Sequence, residues 1–275
     1  MGAVSGTSPD LEPPWGRHGL AAGATTSVGI GPLTLWARSR AGEVWLAHDS
    51  GDWADSGRAV DTPEPPPEEE GWVRWPVPEG TGSLRLSPVF PPRTLVVKPE
   101  LSFRLLPRSG ARIYVRVPLW ARVEATGGDR DVTLTEVPTV VLSDTWWGEF
   151  TDGELCYWLP TSARRSAGSD VFSPHQAICP LDLSNRSEKE LEVEKIALRV
   201  AHLSVFRGEQ GFWSDVTRVR YRGESEGSDI EVSGKPPQEA AEDVRRVASP
   251  RTPLSKSFRV RTFSRLRTLS GLGGM

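Results

Sequence analysis

The chain has 275 residues, 37% of them hydrophobic and 25% charged, with a formal net charge of -3. That balance allows a buried core and is enough for one large all-β domain or two small ones. So small a net charge provides no global field toward nucleic acid or a membrane surface, and no apolar run is long enough to span a bilayer.

Residues 1–14, rich in Gly, Ser and Pro, read as a disordered leader with neither a basic n-region nor an apolar run. Strand-like runs at 26–30, 33–38 and 43–48, separated by Gly-Pro and Ala-Gly, predict an N-terminal β-meander over 15–53. Residues 54–70 interleave Asp55, Asp61, Glu64 and Glu68 with Pro63 and Pro65, which predicts an acidic linker or exposed loop. Strands resume at 83–90, 94–98, 101–106 and 111–119. In the last of these Ile113, Val115 and Val117 alternate with Arg112, Tyr114 and Arg116, the pattern of a half-buried antiparallel strand. Further strands are expected at 132–137, 139–143, 153–159, 176–183 and 213–221. The run 191–206 reads as one long strand whose apolar parity switches near Lys195, implying a bulge or bend. Only 236–248 looks helical, with Pro236 and Pro237 at its start. The expected architecture is mostly β: an antiparallel sandwich-like body over 71–235, one short helix at 236–248 and a basic tail at 249–275.

Signatures of catalysis fail one by one. Gly29-Ile30-Gly31-Pro32 lacks the third glycine of a dinucleotide loop, and Gly234-Lys235 lacks the rest of a P-loop. There is no HExxH and no GxSxG. His18, His48, His175 and His202 are isolated in sequence, so no metal and no cofactor are expected. Cys156 and Cys179 have no CxxC spacing and read as reduced, buried thiols, with a disulfide between neighbouring strands left open. Cys156 and His175 could form a thiol–imidazole pair of the hydrolase kind, and acid pairs such as Asp152 and Glu154 await geometry.

Two surface features remain. Trp146, Trp147, Tyr157 and Trp158 lie close in sequence, with Arg164 and Arg165 just after. A turn at 151–153 would bring the aromatic pairs together across a hairpin, either to bind a glycan or other small ligand or partner, or to pack against each other and stabilise the sheet. The second is the tail. Residues 249–275 carry six cations, including Arg259, Arg261, Arg265 and Arg267, and no acid. Interleaved with Phe258, Val260, Phe263, Leu266 and Leu269, they suit an anionic lipid surface or an acidic partner, or else form a solvated tail or a protected edge strand. Nucleic acid is disfavoured because the body is acidic.

Residues 144–165 read Asp-Thr-Trp-Trp-Gly-Glu-Phe-Thr-Asp-Gly-Glu-Leu-Cys-Tyr-Trp-Leu-Pro-Thr-Ser-Ala-Arg-Arg, which resembles the central signature of domain-of-unknown-function family 432, an uncharacterised archaeal and bacterial family. Trp15-Gly16-Arg17-His18 leading to Ile30-Gly31-Pro32-Leu33 is similar to the family's opening, and Leu183-Ser184-Asn185-Arg186-Ser187 with 212–221 is similar to its second half. The resemblance covers roughly residues 15–240 and implies a soluble β-rich protein without assigned activity; it supplies no catalytic residues to carry over. With no signal peptide and no spanning run visible, the chain reads as cytoplasmic; the resemblance further implies an accessory role beside small-conductance mechanosensitive channels, which would place it peripheral to the inner membrane. The Arg-rich ending departs from the family's short aromatic-Gly close. The leading expectation is therefore a non-enzymatic interaction or accessory module. A glycan- or small-ligand-binding β module and a cysteine-dependent hydrolase are the alternatives.

Overall fold

The computed structural model describes residues 11–40, 42–54, 64–67, 70–127, 130–167, 172–223, 227–240 and 243–253, with the backbone of 258–260 and 263–264. The chain is mostly β. Antiparallel pairing joins β2 (Thr25–Ile30), β3 (Leu33–Arg40), β4 (Glu43–Ser50) and β5 (Val73–Pro76) in a meander. Residues 54–70 thus connect two adjacent strands of one sheet. Among the described part of that stretch, the carbonyls of Pro66 and Pro67 accept from Trp72 Nε1 at 3.3 and 3.2 Å.

β1 (Gly16–Gly19) pairs elsewhere, with β6 (Ser83–Val89), which continues into β10 (Trp120–Thr126) and β11 (Val132–Pro138). A five-stranded sheet has the order β12 (Asp144–Gly148), β13 (Gly153–Ala163), β7 (Leu95–Pro99), β16 (Lys195–Leu198) and β23 (Phe263–Ser264). The largest sheet runs β21 (Arg245–Ala248), β17 (Val205–Arg207), β18 (Phe212–Ser214), β14 (Gln176–Asn185), β19 (Thr217–Gly223), β20 (Gly227–Val232) and β22 (Phe258–Val260). β9 (Gly110–Pro118) lies antiparallel along the other side of β14. A short ladder joins β8 (Phe103–Leu105) to β15 (Leu191–Val193). Most pairings are antiparallel; β7 with β13, and β14 with β18 and β19, run parallel.

One core serves all the larger sheets. Ile30, Leu33 and Leu35 of the meander pack in the same cluster as Leu86 and Val123, Leu95 and Ile196, and Ile113, Val115, Val117 and Leu181. The alternation read in β9 is observed: Ile113, Val115 and Val117 are buried, and Arg112, Tyr114 and Arg116 face the other way. β14 is buried on both faces. Cys179, Leu181 and Leu183 enter the main core, while Ile178 joins Trp213 and Ala240 in a smaller cluster behind the sheet.

Three expected elements come out differently. Among the described residues of 236–248 no α-helix forms. A single 3-10 turn, Gln238–Ala240, is followed by Asp243 at φ 60° and then by β21. The unpaired edge of β17 recruits 245–248 as a strand, and Arg246 lies 5.5 Å over the Phe206 ring. Glu239 pins the turn to the sheet, accepting from Arg112 Nη1 at 2.6 Å and from the Tyr114 hydroxyl at 2.7 Å. Residues 139–143 form no strand, because Thr139 spends its N–H and hydroxyl on Leu119 O, and the Val141 N–H goes to Gly51 O. The run 191–206 is cut into β15, β16, a 3-10 turn at Val200–His202 and β17. The parity switch at 194–195 marks the change of partner, from β8 to β7.

The meander is tied to the body at the head of β14. Trp15 Nε1 donates to Pro174 O at 2.7 Å, and its ring meets Phe212 edge-on at 6.0 Å. Gly31, at φ 58° in the β2–β3 turn, lies against the buried His175 imidazole; a Cβ on Gly31 would stand 2.2 Å from His175 Nδ1. At the other end of β14, buried Asn185 donates from Nδ2 to Leu105, Leu106 and Lys189 carbonyls and accepts from the Ser187 N–H and hydroxyl. One side chain thereby satisfies the backbone of a loop that has no ladder of its own.

Two predictions follow from the head of β14. Gly31→Ala combines a left-handed backbone with a clash against a packed ring, so it should cost roughly 2 kcal/mol or more, read as a lower urea midpoint at unchanged m. Burial, with a further push from Arg116, lowers the His175 pKa from 6.5 to about 4. The unfolded chain then binds the extra proton first, so this group's stabilisation is complete above pH 6.5 and is lost as pH falls toward 4. His175→Gln should remove roughly 3 kcal/mol from the difference in unfolding free energy between pH 7 and pH 4; an unchanged pH slope in urea melts would refute this.

Candidate functional site

The aromatic segment forms the β12–β13 hairpin at one edge of the five-stranded sheet, with its turn at 149–152. Register decides what the aromatics do. Trp146 stands opposite Leu155 and Trp147 opposite Glu154, while Tyr157 faces Asp144. The aromatic pairs are therefore offset, and the hairpin sends them to different faces.

On one face, Trp147 is buried and packs with Val96, Cys156 and Ala197, with half-buried Trp158 beside them. On the other, Tyr157 leaves the hairpin and meets Trp120 at 6.5 Å, with Arg93 5.0 Å over its ring. Arg164 and Arg165 lie at the far end of β13. Arg164 bridges through its backbone to Tyr114 of β9, and the Arg165 guanidinium sits 5.6 Å over Phe103. Of the six residues expected to form one site, the structure brings together Trp147 and Trp158 and separates them from the two arginines.

Trp146 remains outside, 51% exposed. Its indole folds over the turn and donates to Glu149 O at 3.0 Å. Gly153 must be glycine for this, since a Cβ there would lie 2.3 Å from Trp146 Nε1. Beside it Leu155 is 45% exposed and Phe150, at the turn, 94% exposed. Phe150 and Leu155 were not singled out by sequence. The signal available was the two-residue period across 144–155, which sets Trp146 and Leu155 on one face once the turn is placed.

The thiols are not activated. Cys156 is fully buried, its Sγ 3.6 Å from Glu154 O, and burial together with the Glu154 charge pushes its pKa up to about 11. Cys179 lies on β14, in a different sheet, where burial raises its pKa to about 12; the two are free thiols. His175 heads β14, where its Nε2 lies 3.2 Å from Gln176 Nε2, so the structure does not bring it to Cys156. Among the described residues no group of three His, Cys, Asp or Glu is placed to hold a metal, and no helix is long and apolar enough to cross a membrane.

Concave sites are equally unpromising. An internal gap bounded by Leu181, Leu198, Arg199 and Ile230 has about 10 Å³, room for one water at most. An open depression of about 620 Å³ is lined by Pro76, Val77, Pro78, Arg130 and Val132, without convergent polar groups.

A family model described as protein of unknown function matches residues 14–267. The chain belongs to the DUF432 family. No curated protein and no solved structure matches it. In this DUF432 chain the segments that carried the resemblance have structural work: Trp15 and Gly31 dock the meander, Gly153 seats Trp146, and Asn185 ties a loop. The two central tryptophans should separate by experiment. Trp147→Ala should cost about 3 kcal/mol, while Trp146→Ala should cost about 1 kcal/mol or less, being half in solvent; equal losses in denaturant melts would contradict the facing assigned by register.

Proposed function

We propose that the protein is a non-enzymatic interaction module whose partner-binding surface is the tip of the β12–β13 hairpin. The observation that carries this reading is the exposure of three large apolar side chains, Phe150, Trp146 and Leu155, on one hairpin at a sheet edge. Apolar groups held together in water mark contact surfaces, and Trp anchors are the residues that dominate interface energetics. The tip is also acidic, with Glu149 and Asp152 in the turn. An apolar groove with a basic rim complements it.

The channel partner that the family resemblance implies is the first to test, and the tail cations Arg259, Arg261, Arg265 and Arg267 supply a second contact with anionic lipid from the cytoplasmic side. Arg259 enters β22 opposite Asp229, whereas Arg261, Arg265 and Arg267 lie outside the described residues. A glycan platform is less well supported, because Trp147 is buried and lysines flank the Trp158 ring. A hydrolase is less well supported because Cys156 is a buried, neutral thiol.

The test is a photo-crosslinking amino acid at position 150 in native membranes, with a second at exposed Leu106 as a control. A partner captured at 150, absent at 106 and lost on Leu155→Ser, supports the reading. Equal capture at both positions, or capture undiminished by Leu155→Ser in a protein of unchanged melting temperature, sinks it.

A further inference from the structure

Lysine is scarce in this chain. Only five of its 33 cations are lysine, Lys98, Lys189, Lys195, Lys235 and Lys256. Two of these five meet on one indole: Lys98 Nζ lies 5.7 Å and Lys195 Nζ 5.9 Å from the Trp158 ring centroid.

The strand register explains the meeting. β7 and β16 pair antiparallel with Val97 opposite Ile196 and Val96 opposite Ala197. Carried one residue further, the register sets Lys98 directly beside Lys195 on the same face. Trp158 lies level with Val96 and packs on the Val96 and Ala197 cluster, so both lysines stand on the same flank of its ring. The row continues outward on both sides. Ser162 of β13 is the register partner of Lys98, and Ser264 of β23 is that of Lys195. Three adjacent strands thus present Ser162, Lys98 and Lys195 in one line across the sheet.

Two like charges directly opposite on neighbouring strands destabilise a sheet. Neither lysine has an ion pair among the described residues, although thirteen ion pairs of other cations are formed there. The indole face offsets only part of the repulsion. Lysine is a compact point charge on a flexible stem, so two of them close on a small anion, whereas two arginines would need planar partners. We propose that Lys98 and Lys195, with Trp158 as apolar floor and Ser162 at the rim, bind a phosphate group. Two ammonium groups match a dianionic phosphate better than a single carboxylate. The group is carried either by a small soluble molecule or by a lipid headgroup, and the site is separate from the hairpin tip.

The test is acetylation footprinting of the full chain with inorganic phosphate at constant ionic strength, using exposed Lys189 and Lys235 as internal controls. Phosphate should slow acetylation of Lys98 and Lys195 but not of the controls, and should raise the melting temperature above that in chloride. Lys98→Gln and Lys195→Gln, which keep the stems, should each weaken phosphate binding roughly tenfold, and the double variant should lose the thermal shift. The same footprint with phosphatidylcholine vesicles, with and without phosphatidic acid, separates the two sources. Protection by the acidic vesicles beyond that given by free phosphate assigns a headgroup; protection by free phosphate alone assigns a soluble ligand. Unprotected lysines under every condition, or a thermal shift retained by the double variant, overturn the proposal.

Discussion

Burial of β14 on both faces is the constraint from which the rest of the molecule follows. A strand with two apolar faces cannot stand at a sheet surface, so it must be covered in front and behind. In front lies the common core, which Ile113, Val115 and Val117 of the neighbouring β9 enter from the same face. Behind, Ile178 packs with Trp213 of the adjacent β18 and with Ala240 of the 3-10 turn, which Arg112 and Tyr114 anchor through Glu239. Both edges of β14 are also occupied, by β9 on one side and by β18 and β19 on the other. Its ends are then the natural attachment points. His175 receives the Gly31 turn at the head, and Asn185 gathers the loop carbonyls at the tail.

The five-stranded sheet obeys a different economy. Its inner face, with Leu95, Val97 and Ile196, belongs to the common core, but its outer face has no opposing sheet in the described structure. Val96, Cys156 and Ala197 are buried there by the indoles of Trp147 and Trp158 laid over the strands. A large amphipathic ring is a compact way to cover a sheet face from within the same sheet. The tryptophans at the centre of the chain are thus explained first by packing. Only Trp146, which the pleat turns away from that cover, is free to serve a partner.

The same face is bounded by charge at two places. Arg199 donates to Glu154 at 2.7 Å, and Glu154 accepts from the Thr94 hydroxyl at 3.1 Å, so the hairpin end carries an ion pair. At the other end Lys98 and Lys195 lie 5.7 and 5.9 Å from the Trp158 ring centroid. The hairpin tip and the lysine pair therefore sit at opposite ends of one sheet.

Much of this was legible in the amino-acid order. Alternation in 111–119, the Gly-Pro and Ala-Gly turns of the meander and the parity switch at Lys195 are local patterns, and local patterns report which residues share a face. Absence of the common catalytic motifs is a local fact too. What alternation cannot report is a partner. Residues 236–248 have a helical composition, yet the open edge of β17 takes 245–248 as a strand, because backbone hydrogen bonds at an edge outweigh a weak propensity. The aromatic pairs of the hairpin were expected to meet as one group, and a register set by the turn at 149–152 split them, Trp147 with Trp158 on one face and Trp146 with Tyr157 on the other. Lys98 and Lys195 are nearly a hundred residues apart and carry no mutual pattern; only the pairing of β7 with β16 makes them neighbours. The sequence by itself determined a β-rich, non-motif protein with an aromatic centre, since strand periodicity and composition are short-range properties. Tertiary structure alone decided which tryptophan is exposed and which lysines meet, since those depend on register between strands distant in the chain.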